Sequence, residues 1–348
     1  MSIHDVIVTA HEMAASDIHL VCGLPIKYRV GGRLISAGED ILTHEDCELL
    51  ARDLAGERYE SIREIGEIDF ARTIAGVRVR INLFRAQGHV SAALRLLSDQ
   101  IPELETLGLP PMVMDFSKLQ RGLVVVTGET GSGKSTTLAS LIDRINRTRS
   151  ENIITMEDPI EYIYTPDQSI ISQREIGQDT KSYHNALRAV LREDPDIILI
   201  GEMRDLETIQ TALTAAETGH LVFATLHTKS AADSVDRIVD VFPDGLQHQI
   251  RMQLSTCLVA ILSQQLLPQR DGVGRALACE LMMVTPAIRN LIREGKTPQI
   301  ASSLATSAAV GSTTMDNALI NLYRQRVIDT ETAREHAHDS EYMVRNTM

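Results

Sequence analysis

Tryptophan is absent from this chain, and its only large aromatics are seven Tyr and five Phe. Its cores must rely on Ile, Leu, Val, Met and Ala, and stacking platforms for successive nucleobases are scarce. Basic residues are outnumbered, 34 Lys and Arg against 47 Asp and Glu, for a net charge of −13. Such a surface is a poor partner for the phosphate backbone, which argues against nucleic-acid binding. The four cysteines, Cys22, Cys47, Cys257 and Cys279, lie far apart with no C-x-x-C pair. That excludes a zinc knuckle or disulfide frame and predicts buried or semi-buried thiols in a reducing cytoplasm. No stretch of 18 apolar residues exists to span a membrane. The opening MSIHDVIVTAHEMAASD lacks the basic start and apolar core of a signal peptide. The expected location is cytoplasmic, with any membrane contact made through a protein partner.

What the chain does have is GETGSGKST at 128–136. It fits the phosphate-loop pattern G-x-x-x-x-G-K-[ST] through Gly128, Gly133, Lys134 and Ser135. An apolar run, Gly122–Thr127, precedes it like a buried parallel strand, and 136–145 follows like a helix. Glycines allow backbone N–H groups to wrap a phosphate, and the helix N-terminus adds positive potential. The candidate nucleotide contacts are Gly128, Thr130, Gly131, Ser132, Gly133, Lys134, Ser135 and Thr136. Lys134 would neutralise β/γ oxygens, and the Ser135 hydroxyl would reach Mg²⁺. The implied ligands are ATP and Mg²⁺.

The 348 residues suffice for about two domains. Residues 1–100 read as α+β. A helix is predicted over 3–14 and a strand over 17–21. A hairpin is predicted around Gly31-Gly32, then a helix capped by Thr43 with Asp46 in its first turn. An antiparallel meander over 67–73, 77–85 and 89–97 follows, with VRVRIN alternating at period two. IPELETLGLPP, 101–111, with three prolines, reads as a linker. From 112 to 348 buried strands alternate with helices, the signature of a parallel sheet. The predicted strands are 123–127, 152–157, 196–201 and 221–226. Beyond about 245 the chain reads mainly helical.

In open parallel sheets ligands sit past the carboxyl ends of the strands. The strand ending in Glu157-Asp158-Pro159-Ile160-Glu161 is therefore expected beside the loop if the two strands are neighbours, with Glu157 or Glu161 orienting water or metal. DPDIILIGEMRD resembles a metal-binding strand end, except that its acid, Glu202, follows a glycine. Glu202 is the candidate for the Mg²⁺ or catalytic-water contact. In GHLVFATLHT, His220 and His227 lie roughly 23 Å apart on one strand and cannot share a metal. His227 falls at the carboxyl end, where it could sense a γ-phosphate; His220 falls at the far end. In the meander Arg78 and Arg80 share a face and Arg85 takes the other. They read either as a solvated basic face or as arginine fingers. Residues 287–294, AIRNLIRE, place Ala287, Ile288, Leu291 and Ile292 in an apolar helical stripe, with Arg289, Arg293 and Glu294 off it.

Together these segments resemble the secretion ATPases of the type II/type IV pilus class. GETGSGKST is similar to the family's phosphate loop, ITMEDPIEY to its Asp box, LREDPDIILIGEMRD to its atypical acidic strand and TGHLVFATLHT to its His box. ASDIHL extends the likeness to the N-terminus. The resemblance implies an α/β fold, with a RecA-like P-loop ATPase domain preceded by a smaller PAS-like α+β domain. It implies a homohexamer that works on an inner-membrane pilus platform protein. It also implies that both His220 and His227 matter, and that Arg80 and Arg95 are finger residues. A third family arginine is replaced by Gly88: either Arg85 substitutes for it or the pattern is incomplete. AIRNLIRE, including Asn290, resembles a signature of the class's retraction motors. Assembly motors of the class carry a tetracysteine zinc site and a longer N-terminal region, neither expected here. The alternatives are an assembly or secretion motor of the same chemistry and, on different grounds, a nucleic-acid translocase.

Overall fold

Gly31 and Gly32 both take positive φ, +56° and +81°, as a two-residue hairpin turn demands. They join β2 (Pro25–Val30) to β3 (Arg33–Ile41), which follow α1 (Ile3–Glu12) and β1 (Asp17–Leu20). The computed structural model describes residues 2–97 and 100–347 and divides into two compact units. The first runs to Ile101 and includes the segment Asp158–Ile163; the second comprises Pro102–Glu157 and the chain from Tyr164 onward.

In the first unit α2 (His44–Ala55) and α3 (Tyr59–Ile65) precede β4 (Glu67–Ile74), β5 (Val77–Ala86) and β6 (His89–Leu96). The six antiparallel strands are ordered β3-β2-β1-β6-β5-β4. Thr43 and Asp46 close α2 reciprocally as a capping box. In β5 Val77, Val79, Ile81 and Leu83 are buried while the residues between them are only partly so, the period-two pattern the sequence predicts. Val6 and Ile7 of α1, Leu54 of α2 and Ile62 of α3 complete that core. The turn at Gln87-Gly88 has φ of +50° and +83°. A side chain at position 88 would be strained at that φ.

The stretch 101–111 is not a free linker. Leu104–Leu107 and Pro111–Lys118 form 3-10 turns, and Leu104 is buried. Glu103 pairs with Arg147 at 2.7 Å, and Glu105 pairs with Arg144. Both arginines belong to α4 (Lys134–Thr148), which follows β7 (Gly122–Thr127). Next come β8 (Asn152–Glu157), β9 (Ile170–Glu175), α5 (Tyr183–Val190), β10 (Ile197–Ile200), α6 (Leu206–Glu217), β11 (Leu221–Leu226), α7 (Ala231–Asp240) and α8 (Asp244–Cys257).

The segment after α8 departs from the helical expectation. Leu258–Pro268 and Arg275–Met283 are long strands, β12 and β13. Their Leu, Ala, Gln and Met favour helix locally, but pairing alongside an apolar sheet overrides that preference. Seven strands result, ordered β13-β12-β7-β11-β10-β8-β9. All neighbours run parallel except β13, which is antiparallel to β12, so the sheet is mixed rather than purely parallel. β7, β10 and β11 are buried at every residue, as parallel strands covered on both faces must be. Small helices follow: α9 (Pro286–Arg293), α10 (Ile300–Ala305), α11 (Met315–Arg324), α12 (Thr330–Glu335) and α13 (Ser340–Asn346). Cys47, Cys257 and Cys279 are buried and Cys22 partly so. Burial pushes the Cys257 and Cys279 thiols up to about 12. Among the described residues no helix is long and apolar enough to cross a membrane.

Leu54 is fully buried between α2 and the first sheet. Leu54→Ala is expected to cost the first unit about 3 kcal/mol, read from its denaturant midpoint. A loss below about 1 kcal/mol would contradict this core.

Candidate active site

The chain leaves β7 at Thr127 and turns at once through Gly128, whose φ is +145°. A Cβ there would stand 2.3 Å from the Gln264 carbonyl and 2.5 Å from Ser132 Oγ, so only glycine fits. Gly131 and Gly133 also take positive φ, and α4 begins at Lys134. The loop thus aims the first N–H groups of α4 inward, the arrangement that binds anions. Lys134 is buried and its Nζ donates to the carbonyls of Gly128 and Glu129, at 2.8 and 3.0 Å. Ser132 Oγ is buried without a hydrogen-bond partner. A buried hydroxyl and a buried ammonium group in one glycine loop fit a phosphate ligand. Thr130 and Ser135 are exposed, and Thr136 is partly so.

Strand register assembles the rest. Thr127 pairs with Leu226 across β7 and β11. Ile200 of β10 pairs with Ala224 of β11 and Met156 of β8. The carboxyl ends of these four strands therefore share one edge. Thr127 Oγ1 donates to the Thr228 carbonyl at 2.8 Å and accepts from Thr228 N at 3.0 Å, fixing the segment after β11 to the start of the phosphate loop. Within that segment His227 Nε2 lies 3.5 Å from Glu202 Oε1. The other carboxylate oxygen of Glu202 is 2.7 Å from Arg204 Nε.

The glycine before Glu202 has a steric cause. A Cβ on Gly201 would meet Tyr183 Oη at 2.9 Å and the Met156 carbonyl at 3.1 Å. Gly201 N donates to that carbonyl at 2.8 Å, and its own carbonyl accepts from Thr225 Oγ1. The acid consequently stands one residue beyond the apolar run.

Glu157 is not on a strand adjacent to the loop. β11 and β10 intervene between β7 and β8, a lateral offset of about 14 Å. Its carboxylate accepts from Thr155 Oγ1 at 2.7 Å and Gln173 Nε2 at 3.3 Å. Asp158 and Glu161 belong to the first unit, where the Ile160 carbonyl accepts from Arg78 Nη2 at 3.1 Å. His220 sits at the opposite end of β11. Its Nδ1 lies 2.9 Å from the Ala215 carbonyl, so it ties the end of α6.

The candidate fingers hold partners within their own unit. Arg80 Nη2 is 2.5 Å from Asp69 Oδ2, and this hydrogen bond raises the arginine above its ordinary value. Arg95 Nε lies 3.0 Å from Asp17 Oδ1 and its side chain is 64% exposed. Partial burial works against the Asp17 charge, but hydrogen bonds from Ser16 and Arg95 hold it below the usual carboxylate range. Arg85 Nη2 donates to the Gly88 carbonyl at 3.1 Å, so it braces the turn.

AIRNLIRE forms most of α9. Ile288 and Ile292 are buried, and Leu291 packs partly against the core. Ala287 is exposed; with Pro286 beside it in the first turn, it falls outside the stripe. Arg289 does not simply face solvent: its Nη1 donates to the Ser255 and Thr256 carbonyls at 2.7 and 2.9 Å, capping α8. Asn290 Nδ2 donates to Glu294 at 2.8 Å, Glu294 pairs with Lys296 and Arg293 is exposed.

Sequence reasoning missed the far wall of the site. A cavity of about 370 Å³ extends from the phosphate loop to Gln264, Gln265 and Leu266 of β12 and to the turn after α12. Gln264 Nε2 donates to Thr137 Oγ1 at 2.8 Å. Once 258–268 is read as helix, nothing signals that these residues reach the loop.

Residues 1–344 match the family model described as type II/IV secretion system protein. The chain is 44% identical over 339 residues to the type IV pilus retraction ATPase PilT of Pseudomonas aeruginosa, covering 97% of this chain and 98% of that protein. It is 51% identical over 278 residues to a twitching motility protein of Neisseria gonorrhoeae, covering 80% and 74% respectively. A crystal structure of the pilus retraction motor PilT with bound ADP superposes with a TM-score of 0.92 at 48% identity, covering 99% of each chain.

Gly128→Ala should lower ATP affinity at least about tenfold, because its Cβ displaces either Ser132 or β12. Titration calorimetry on the full chain reads this directly, and wild-type affinity would contradict the loop geometry.

Proposed function

The chain belongs to the type II/IV secretion system protein family, and on that premise we propose that it is the ATP-hydrolysing motor of type IV pilus retraction. The observation that carries this reading is end-to-end likeness to a retraction ATPase, 97% of one chain against 98% of the other, joined to an intact phosphate loop. The octapeptide of α9 adds little by itself, since Arg289 and the two isoleucines have structural work of their own.

The nucleotide's phosphates lie in the loop. Lys134 exchanges its carbonyl partners for phosphate oxygens, and the Ser132 hydroxyl and the loop N–H groups, with Gly131, Gly133 and Thr136, bond the rest. Magnesium, when bound, neutralises charge on the β/γ oxygens; Ser135 and Glu202 are the residues that would hold it, directly or through water. Glu202 orients the attacking water. His227, 3.5 Å from that carboxylate, reports whether a γ-phosphate is present. Glu157, on the strand next to the one that leads to Glu202, supports the acid edge, with Glu161 as the alternative.

Six copies form the working ring. Arg80 and Arg95 leave Asp69 and Asp17 to meet nucleotide; Arg29, 3.8 Å from Asp17, stays beside the carboxylate that Arg95 leaves. A motor step requires ATP and ADP to differ in affinity for the two states of each subunit. Those steps act on a platform protein at the inner face of the membrane.

The test is pilus behaviour in cells in which Glu202→Ala replaces the native chain. Abundant pili that never shorten are expected. Loss of pili would instead mean an assembly motor.

A further inference from the structure

Two histidines of the first unit, one from a helix and one from a strand, face each other. His44 is the first residue of α2 and His89 the first of β6. Their Nδ1 atoms lie 3.1 Å apart, and the rings meet edge to face, with centroids 5.0 Å apart and planes at 63°. A neutral imidazole carries one N–H. Either one ring donates from Nδ1 to the other, or both keep their hydrogens on Nε2 and aim two lone pairs at each other. The second state is repulsive unless a cation lies between them. The spacing suits one. Zinc binds imidazole nitrogen at about 2.0–2.1 Å in tetrahedral geometry, which sets two such nitrogens about 3.3 Å apart. The pair needs to open by only about 0.2 Å to reach that separation.

The backbone that carries the pair is fixed. Thr43 and Asp46 close the start of α2 as a capping box, and His89 pairs with Ala86 across the β5–β6 turn. Leu50 and Leu54 of α2 and Val90 and Ala92 of β6 lie in one core. Such preorganisation lowers the cost of holding two ligands together. His44 is exposed and His89 partly so, so an ion can reach them from solvent. The N-terminus of α2 disfavours a cation, but Glu45 and Asp46 in the same turn offset that field. Among the described residues no cluster of three or more His, Cys, Asp or Glu could hold a metal. Water therefore takes the remaining positions, and binding is weaker than at a four-ligand structural zinc centre.

We propose that His44 and His89 form a metal site, taking Zn²⁺ or another divalent ion that favours imidazole, through their two Nδ1 atoms. The ring that donates from Nδ1 shifts its hydrogen to Nε2, so two neutral rings bind the ion without losing a proton. The bound ion clamps the start of α2 to the β5–β6 turn.

Titration calorimetry with zinc chloride on the nucleotide-free, full-length protein compares wild type, His44→Ala and His89→Ala. Either substitution should weaken zinc binding at this site at least about tenfold. Zinc should also raise the unfolding midpoint of wild type, reversibly with EDTA, and leave that of either variant unchanged. No zinc binding by wild type, or equal binding by all three proteins, would overturn the site and leave the pair a hydrogen bond between neutral rings. Circular dichroism checks each fold; should one substitution disturb it, the other decides.

Discussion

The parallel ladder β7-β11-β10-β8 is the constraint on which the site depends. It is buried almost throughout, and its register pairs Thr127 with Leu226 and Ile200 with both Ala224 and Met156. A one-residue slip would send each side chain of a strand to the opposite face and misfit both cores. The phosphate loop, the His227 segment and Glu202 are each the first few residues past a strand end, so the ladder sets their mutual places. The Thr127–Thr228 hydrogen bonds and the carbonyl of Gly201 against Thr225 then pin the loops where the ladder stops.

The charged side chains of the site are all engaged. Lys134 bonds carbonyls, Glu202 holds Arg204 and His227, and Arg80 and Arg95 hold aspartates. Lys134 can exchange its neutral carbonyls for stronger, charge-assisted contacts with a polyanion, and the arginines can exchange one anion for another. Exposed pairs are worth little, about 0–1 kcal/mol, so they keep the groups ordered without locking them. A motor needs that balance, because nucleotide can shift an equilibrium only by its differential affinity for the two states.

Much of this was legible in the sequence, for identifiable reasons. The phosphate loop, the Gly31-Gly32 hairpin, the meander and the ends of β8 and β11 follow from local patterns that tertiary structure reinforced. Three features were hidden. β12 and β13 are made of good helix formers, and only their pairing in the sheet, β12 between β7 and β13 and β13 at the edge, makes them strands. Strand order is not written in chain order: Glu157 was expected beside the loop only if β7 and β8 were neighbours, and two later strands separate them. The far wall of the cavity joins Leu266 to residues some seventy positions further on, with no motif to mark it. The glycine before Glu202 was visible as a departure, but its cause, crowding by Tyr183 and the Met156 carbonyl, needed the fold.

The most direct test of the account is ATP turnover by purified Glu202→Gln, His227→Ala and the double variant beside wild type. If the strand ends make one unit, the double variant is no slower than Glu202→Gln alone, because His227 acts through that carboxylate. Losses that multiply, as for independent groups, would contradict it.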